Sequence, residues 1–552
     1  MRITLLVVLL LSIADSTLAQ DLWIRRSPAV NSFYFEAITA IGDTNGDGCS
    51  ELIKPVRYTP GKPTPAAPFD VFHVINGRDN SVLHAIRSNA EDAWWGFAMD
   101  DLDGDGAADF CVTRFSGRVV WLEVYSGRRM QLLFTFRHTS LPPSGYWSVV
   151  NIGDVNADQF EDIAIGATRM TGYGGCLVIS GKDGSLIHNV PYPSPPGSYS
   201  PHSFGSAVCA AGDVNQDGHA DFYVADNYSG YNSLPYGASG SVFLFSGKDA
   251  SLLGHWNGNW RSWFGTSLLL GPDLDQDGVR ELLVGAPGYL PSPAGVIYRI
   301  NPRKPQQVAS LSAPSSSHLL FGSGLAQLSD LDKDGVADFH TAAGIYSPSA
   351  GVTEVSFLAI SGAAGTVIRE RKDASSIKDY AGGFTSTGDI NGDGRLDLVL
   401  GYSLHALSSP SALPYYEIWC DSLALRSNER QLSLSGNDTQ YFELDAGPAH
   451  ANAPYLLLGS LSGIAPGLPL GRCTLPLNPD PYLLFSITAP NTTLLPGGLG
   501  VLDAQGKASA RFVAIPGLPP SFAGTRIDHA FVTFDSQGPA FCSNWIPLVF
   551  AK

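Results

Sequence analysis

The amino-acid sequence predicts an all-β chain made of seven like repeats followed by a smaller β-rich segment. Three observations predict it. A nine-residue acidic loop, D-x-[DN]-x-D-x-x-x-[DE], occurs seven times, its first Asp residues separated by 58, 53, 59, 60, 57 and 59 residues. Such a period belongs to a repeat architecture. Each loop leads into a short alternating or apolar run, such as DFYVAD at 221–226 or DLVLGY at 397–402, which reads as a strand. Past residue 430 the loop and its period stop together, while short strand-like runs and Pro/Gly turns continue.

Taken in order, residues 1–19 carry Arg2, an apolar stretch from Ile3 to Leu11 and a Thr-Leu-Ala exit at 17–19. This is the pattern of a secretory signal peptide cleaved after Ala19. No later stretch approaches the roughly 20 apolar residues of a membrane span, so the mature chain is expected to be secreted, extracellular or attached at the cell surface, without a span.

The seven loops are 43–51, 101–109, 154–162, 213–221, 273–281, 330–338 and 389–397. Positions 1, 3 and 5 hold Asp43, Asn45 and Asp47; Asp101, Asp103 and Asp105; Asp154, Asn156 and Asp158; Asp213, Asn215 and Asp217; Asp273, Asp275 and Asp277; Asp330, Asp332 and Asp334; Asp389, Asn391 and Asp393. Position 9 is Glu51, Asp109, Asp162, Asp221, Glu281, Asp338 or Asp397. Calcium takes about six to eight oxygens in a forgiving geometry, so alternating side-chain oxygens on a short loop can wrap it. Position 7 varies freely (Cys49, Ala107, Phe160, His219, Val279, Val336, Arg395), as a ligand that offers only its main-chain carbonyl allows. Position 6 is Gly in six copies and Gln159 in the third, which makes the third site the weakest of up to seven Ca²⁺ sites. An EF-hand needs its Glu at position 12, where this chain has Lys54, Val112, Ile165, Val224, Val284, Thr341 and Leu400. The loops therefore join strands rather than helices. Asx-rich turns that bind nothing are the alternative; seven copies at constant spacing favour calcium.

Each period has further order. WWGFAM, HSFGSAV, WFGTSLLL and LFGSGLA precede loops, GAT and GAP follow strands, and hairpins such as LVISGKDGSLIH at 177–188 close the unit. That makes four strands, A to D, with the acidic loop between A and B. The Phe-Gly pair, the DxNxDGxxD loop and Gly-Ala-Pro together resemble the FG-GAP repeats of integrin α-subunit heads and the related bacterial VCBS-type repeats. The resemblance spans about residues 30–430 and implies a seven-bladed β-propeller over 20–430. Strand-like Leu22–Arg26 is then expected to pair with the last blade and close the ring. Residues 431–552, with QLSLS, YFELD, YLLLGSLSG, LLFSITAP and HAFVTFD as strands, are expected to form a small β-sandwich. The segment looks similar to a C-terminal domain behind such propellers in secreted bacterial proteins.

The net charge of −17 is mostly ligand charge: 24 of the 51 acids occupy loop positions 1, 3, 5 and 9, and seven Ca²⁺ would leave about −3. No basic patch argues for nucleic acid. Of seven Cys residues, Cys473 and Cys542 share the last segment and could pair; no spacing suits zinc. His84, His188 and His255 recur after the C–D turn, so the repeat explains them, as it explains His219 and His340 at the acidic loops. There is no GxSxG, HExxH or P-loop, and no catalytic residue is assigned.

In a propeller the A–B and C–D loops share one face, leaving the longer B–C and D–A loops on the other. Tyr192, Tyr199, Tyr228, Tyr231, Tyr236, Trp256 and Trp260 fall around those longer connections. They suit a protein or glycan partner, or equally the packing between blades. Trp94, Trp95, Trp147 and Trp263, at the start of strand A, read as core. The leading reading is a monomeric, calcium-stabilised binding, adhesion or scaffold module; the alternative is an extracellular polysaccharide lyase or hydrolase on the same scaffold.

Overall fold

The computed structural model describes residues 21–26 and 38–551, apart from 57–68, 139–146, 194–201, 230–237, 289–294, 374–384, 391–395, 403–414 and internal stretches of four residues or fewer. The signal-peptide segment, Asp47, Asn391, Asp393, Arg395, Tyr199, Tyr231 and Tyr236 lie outside the described residues. Two compact units divide the chain between Trp419 and Cys420, ahead of the residue 430 at which the acidic period ends. Leu425–Ser427 already pairs inside the second unit.

The first unit consists of seven antiparallel sheets in chain order, one per acidic loop: a seven-bladed β-propeller. Blade 3 shows the plan, with strand A Trp147–Gly153, B Asp162–Ala167, C Gly175–Ile179 and D Leu186–Pro191 paired in sequence. Blade 6 departs from it only in a broken strand A, His318–Leu319 and Leu325–Gln327. Blade 7 takes strands A to C from Thr385–Gly388, Asp397–Tyr402 and Tyr415–Cys420, and its fourth strand is Asp21–Arg26. The first strand of the chain thus completes the last blade, as expected of Leu22–Arg26. It ties the ring shut without leaving the blade 7 strand C as a bare edge.

The apolar core lies between blades. One cluster joins Leu122 and Val124 of blade 2 to Ile163, Ile165 and Leu177 of blade 3; the next joins Ala164 and Val178 to Phe222, Val224 and Phe243 of blade 4. Strands B and C are therefore covered on both faces, and 162–167, 175–179 and 221–226 are buried throughout. This is why their apolar residues run continuously rather than alternate. Strands D are outermost, with only Trp256 buried in Leu252–Asn257. The Phe-Gly and Gly-Ala-Pro elements are two halves of a joint between neighbours. Phe204, Phe264 and Phe321 are buried, and a Cβ on Gly285 would lie 2.0 Å from the Gly322 carbonyl oxygen. Only glycine permits that approach.

The second unit packs a three-stranded sheet against a six-stranded one around a shared core that includes Phe442, Phe512, Phe531 and Phe550. This is the expected sandwich, with one correction. LLFSITAP is not a strand: Pro481–Thr488 is an α-helix, α1. Asp480 caps it, accepting the Leu483 N–H, and Pro481 stands at the first turn, where a missing N–H costs nothing. The cap overrides the β-leaning apolar run. Cys473 and Cys542 form a disulfide within this unit.

Candidate functional site

The seven acidic loops share one hydrogen-bond plan. In every copy the backbone N–H at position 2 donates to the position-9 carboxylate: Thr44 to Glu51 at 2.6 Å, Leu102 to Asp109 at 2.8 Å, Val155 to Asp162 and Val214 to Asp221 at 2.9 Å. Leu274 to Glu281 follows at 2.8 Å, Leu331 to Asp338 at 2.6 Å and Ile390 to Asp397 at 2.9 Å. In the six copies where position 6 is described, its N–H donates to position 1, as from Gly106 to Asp101 at 2.7 Å and from Gly335 to Asp330 at 2.8 Å. Gln159 makes the same bond to Asp154 at 2.8 Å. It does so at φ 72°, in the left-handed region its glycine counterparts occupy at 83–90°. Losing the glycine adds strain in blade 3 but leaves the loop geometry intact.

The position-9 acid is the pivot. Glu51, Asp109, Asp162 and Asp221 are wholly buried, and Glu281, Asp338 and Asp397 nearly so. Its second oxygen accepts from the glycine of the C–D turn: Gly127 to Asp109 at 2.9 Å, Gly181 to Asp162 at 3.2 Å, Gly247 to Asp221 at 3.1 Å and Gly362 to Asp338 at 2.9 Å. These bonds put the A–B loop and the C–D turn side by side. They also explain the glycine of these Ser-Gly turns. A Cβ on Gly127, Gly181 or Gly247 would lie 1.9 Å from the carbonyl oxygen at loop position 8.

Among the described residues, three loops bring three carboxylates within 4.8 Å of one another: Asp101, Asp103 and Asp109; Asp273, Asp275 and Glu281; Asp330, Asp332 and Asp338. Like charges at such separations repel by roughly 3 kcal/mol per pair at an effective dielectric of about 20. Burial, and then the neighbouring acids, push Asp109 and Asp162 up to about 6, despite the backbone N–H groups that favour their charged forms. Asp103 Oδ2 is buried without a hydrogen bond, its nearest cation being Arg129 at 3.4 Å. Hard oxygens, excess negative charge and an orphaned carboxylate oxygen fit a divalent cation. These three groups can hold a metal ion.

Several contributors lie outside the nine-residue motif, where reading the loops alone missed them. Ser126 donates to Asp105 Oδ2 at 3.1 Å and Asn301 to Asp277 Oδ2 at 3.0 Å. Lys304 meets Asp275 at 2.5 Å and Asp277 at 3.2 Å. Every one comes from the C–D turn, and the recurrent Ser-Gly or Asn-Pro start of that turn was the available signal.

The histidines behave as parts of the repeat. His219 Nδ1 lies 2.7 Å from the Val155 carbonyl, linking the loops of blades 4 and 3, and His188 Nε2 lies 2.5 Å from the Gly247 carbonyl. His255 stacks on Phe243 at 4.4 Å, and buried His340 on Phe357 at 5.8 Å. His202 was not singled out in the sequence. Its Nδ1 lies 2.6 Å from Asp226, which also accepts the Ser203 and Tyr228 N–H groups. Both side chains are buried, with Tyr192 at 4.5 Å from the His202 ring. The pair staples the Phe-Gly element of blade 4 to the end of its strand B.

The aromatic residues of the longer connections divide. Tyr192 packs on Phe204 and Phe243, Trp256 sits in the core between blades 4 and 5, and Tyr228 meets Trp263 edge-on. Trp260 is 55% exposed, with the Arg261 guanidinium 4.3 Å from its ring. Trp95 and Trp263 are half-buried rather than fully core, and Trp263 adopts φ 53° just ahead of Phe264.

Comparison with known proteins agrees with this geometry. The FG-GAP repeat family matches residues 264–298, from the Phe-Gly of blade 5 through its acidic loop into strand C. Integrin alpha-V of Gallus gallus is 27% identical over 238 residues, covering 38% of this chain and 22% of that protein. Integrin alpha-5 of Xenopus laevis is 26% identical over 237 residues, 39% of this chain and 22% of that one. Integrin alpha-IIb of Homo sapiens is 34% identical over 153 residues, 25% of this chain and 15% of that one. The first unit is an integrin-like FG-GAP β-propeller. The matched region spans about a fifth of the length of the first two relatives.

Proposed function

We propose that this chain is a secreted, calcium-binding β-propeller that acts as a binding, adhesion or scaffold module, with Ca²⁺ structural in up to seven blade loops. The carrying observation is the repeated pivot: a buried position-9 acid held by one N–H of its own loop and, in four described blades, one of the C–D turn. The ligands are the side chains at positions 1, 3, 5 and 9 and the carbonyl at 7, at the residues enumerated above. Bound calcium supplies the positive charge that lets these carboxylates stay together. The chain's own residues then hold the A–B loop against the C–D turn, which fixes each blade.

Secretion is supported by the leader pattern at 1–19 and by the Cys473–Cys542 disulfide, a bond that persists in oxidising compartments. Among the described residues no helix is long and apolar enough to cross a membrane. Likeness to integrin α chains over the propeller supports a recognition role. We assign the partner, a protein or a glycan, to the longer B–C and D–A connections away from the metal loops, where Trp260 is exposed. The His202–Asp226 pair on those connections is buried and serves as a staple, so the polysaccharide-enzyme reading gains nothing from it.

Two measurements test the proposal. Chelation with EGTA is expected to lower the melting temperature of the propeller by ten degrees or more, on the order of what loss of several weakly bound ions by mass action gives; an unchanged curve sinks the calcium assignment. Screening the calcium-loaded protein on glycan and extracellular-protein arrays is expected to yield a ligand whose binding falls in Trp260→Ala.

A further inference from the structure

The C–D turns do more than brace the loops. In blade 5, Lys304 reaches back so that its Nζ lies 2.5 Å from Asp275 Oδ2 and 3.2 Å from Asp277 Oδ2. Asn301, three residues earlier, donates to the same two oxygens at 3.0 Å. Blade 2 repeats the arrangement with other residues. Arg129 lies 3.4 Å from Asp103 and 3.6 Å from Asp105, and Ser126, again three residues earlier, donates to Asp105. In blade 6 the bracing residue is present, Ser361 to Asp334 at 3.4 Å, but the residue three further on is Ala364. Ala364 is exposed and donates its N–H to Ser361 Oγ at 3.1 Å, so the turn has the same local form without the cation. These three loops are the ones with four acids at positions 1, 3, 5 and 9 and, among the described residues, with three carboxylates within 4.8 Å.

We infer that Arg129 and Lys304 are tethered counter-cations that set the calcium affinity of their loops: each neutralises part of the acidic cluster before metal binds and repels the metal once it arrives. The inference rests on the reading of the loops as calcium sites. Its logic is that of two cations sharing one set of carboxylates. A fixed ammonium or guanidinium lowers the repulsion in the metal-free loop, and for the same reason lowers the gain on adding Ca²⁺. In blades 2, 5 and 6 the amino acid three residues after the Ser or Asn of the turn thereby sets the charge that meets the loop; in blade 3 the turn cation is Lys182, two residues after Ser180 and 4.0 Å from Asp158. A loop with a tethered cation holds together better without metal and binds metal more weakly than the same loop without one. Lys333, inside the blade 6 loop, lies outside the described residues, so the test compares each loop with its own variant rather than blade 5 with blade 6.

Hydrogen–deuterium exchange of the full chain at graded free calcium reads each blade separately, through peptides covering 267–286 and 325–343. In Lys304→Gln the blade 5 midpoint is expected to move to lower free calcium by about two- to five-fold, the range for an exposed charge pair. Its protection without calcium is expected to fall. In Ala364→Lys the blade 6 midpoint is expected to move to higher free calcium by a similar factor, with protection without calcium rising. Both shifts should shrink in high salt, and the blade 4 loop, untouched in either variant, should stay in place. The opposite signs with and without metal separate this role from a plain structural ion pair, whose loss would weaken the blade in both states and leave the midpoint unmoved. Midpoints that stay put in both variants, or a Lys304→Gln protein that binds calcium more weakly, overturn the inference. A parent protein whose loops show no response to calcium overturns the loop reading itself, a different result from a response that the variants leave unchanged.

Discussion

In four described blades a glycine of the C–D turn is the residue on which chemistry and architecture meet. Its N–H holds the position-9 acid, and its missing Cβ lets the loop carbonyl pass at a distance no side chain tolerates. Gly247→Ala would place a methyl 1.9 Å from the Ala220 carbonyl oxygen, so the turn must shift away from Asp221. A cost of about 2–3 kcal/mol is expected, read as a lower melting temperature with early exchange in blade 4. In the second unit, His529 is fully buried among Phe442, Phe512 and Tyr482, and burial pushes it down to about 3. Its folded value lies below the unfolded value near 6.5. The stability from keeping it neutral is therefore whole above pH 6.5 or so and is lost as pH falls toward the folded value. His529→Phe is expected to flatten that acid limb in urea unfolding between about pH 6.5 and 4; an unaltered slope would count against it. The Ser-Gly of the turn was visible in the sequence, but the reason for the glycine and the burial of His529 were not, because the carbonyl that leaves no room for a Cβ and the rings around His529 come from distant segments.

At the scale of elements, the acidic loops and the strands that follow them were readable, and for a local reason. A metal loop is built from neighbours in sequence, so its ligands keep a fixed spacing whatever the rest of the chain does. Helix α1 was not readable. Its apolar run matches a strand, and the cap that decides for helix uses an Asp480 whose other oxygen is engaged elsewhere. That oxygen accepts the Leu461 and Ser462 N–H groups at 2.6 and 2.8 Å. Asp480→Ala should cost at least the roughly 1–2 kcal/mol of a lost N-cap, since it also orphans the 460–462 turn. Circular dichroism alone would miss an eight-residue helix; protection of Leu483–Phe485 against exchange is the sensitive readout. The aromatic residues between blades 3 and 5 were ambiguous for a related reason. Tyr192 and Trp256 turned inward and Trp260 outward, though all three stand in similar polar, Gly/Ser-rich surroundings in the sequence.

For the molecule as a whole, the two units are held by different devices, and different reagents should separate them. On the calcium proposal, chelation should act on the propeller, whose blades carry the acidic loops. Reduction acts on the second unit, where Cys473–Cys542 closes a 69-residue separation worth roughly 4 kcal/mol in chain entropy. Calorimetry is expected to show two transitions: EGTA should move one, a phosphine reductant the other. A single transition moved by both reagents would mean that the units unfold as one. The ring itself is closed by Asp21–Arg26, so the propeller needs its first strand to finish its last blade.

The sequence by itself determined the number of blades, the place of the acidic loops and the kind of ion they suit, because repetition and ligand spacing are properties of the chain read in order. The tertiary structure decided what each loop leans on. The turn glycines, the bracing Ser126, Asn301 and Ser361, and the cations Arg129 and Lys304 reach the loops across about 20 to 30 residues by the antiparallel pairing that makes a blade. Only that pairing brings a C–D turn to an A–B loop. In blades 2 and 5 the cations that meet the acidic loop thus come from residues its motif does not contain.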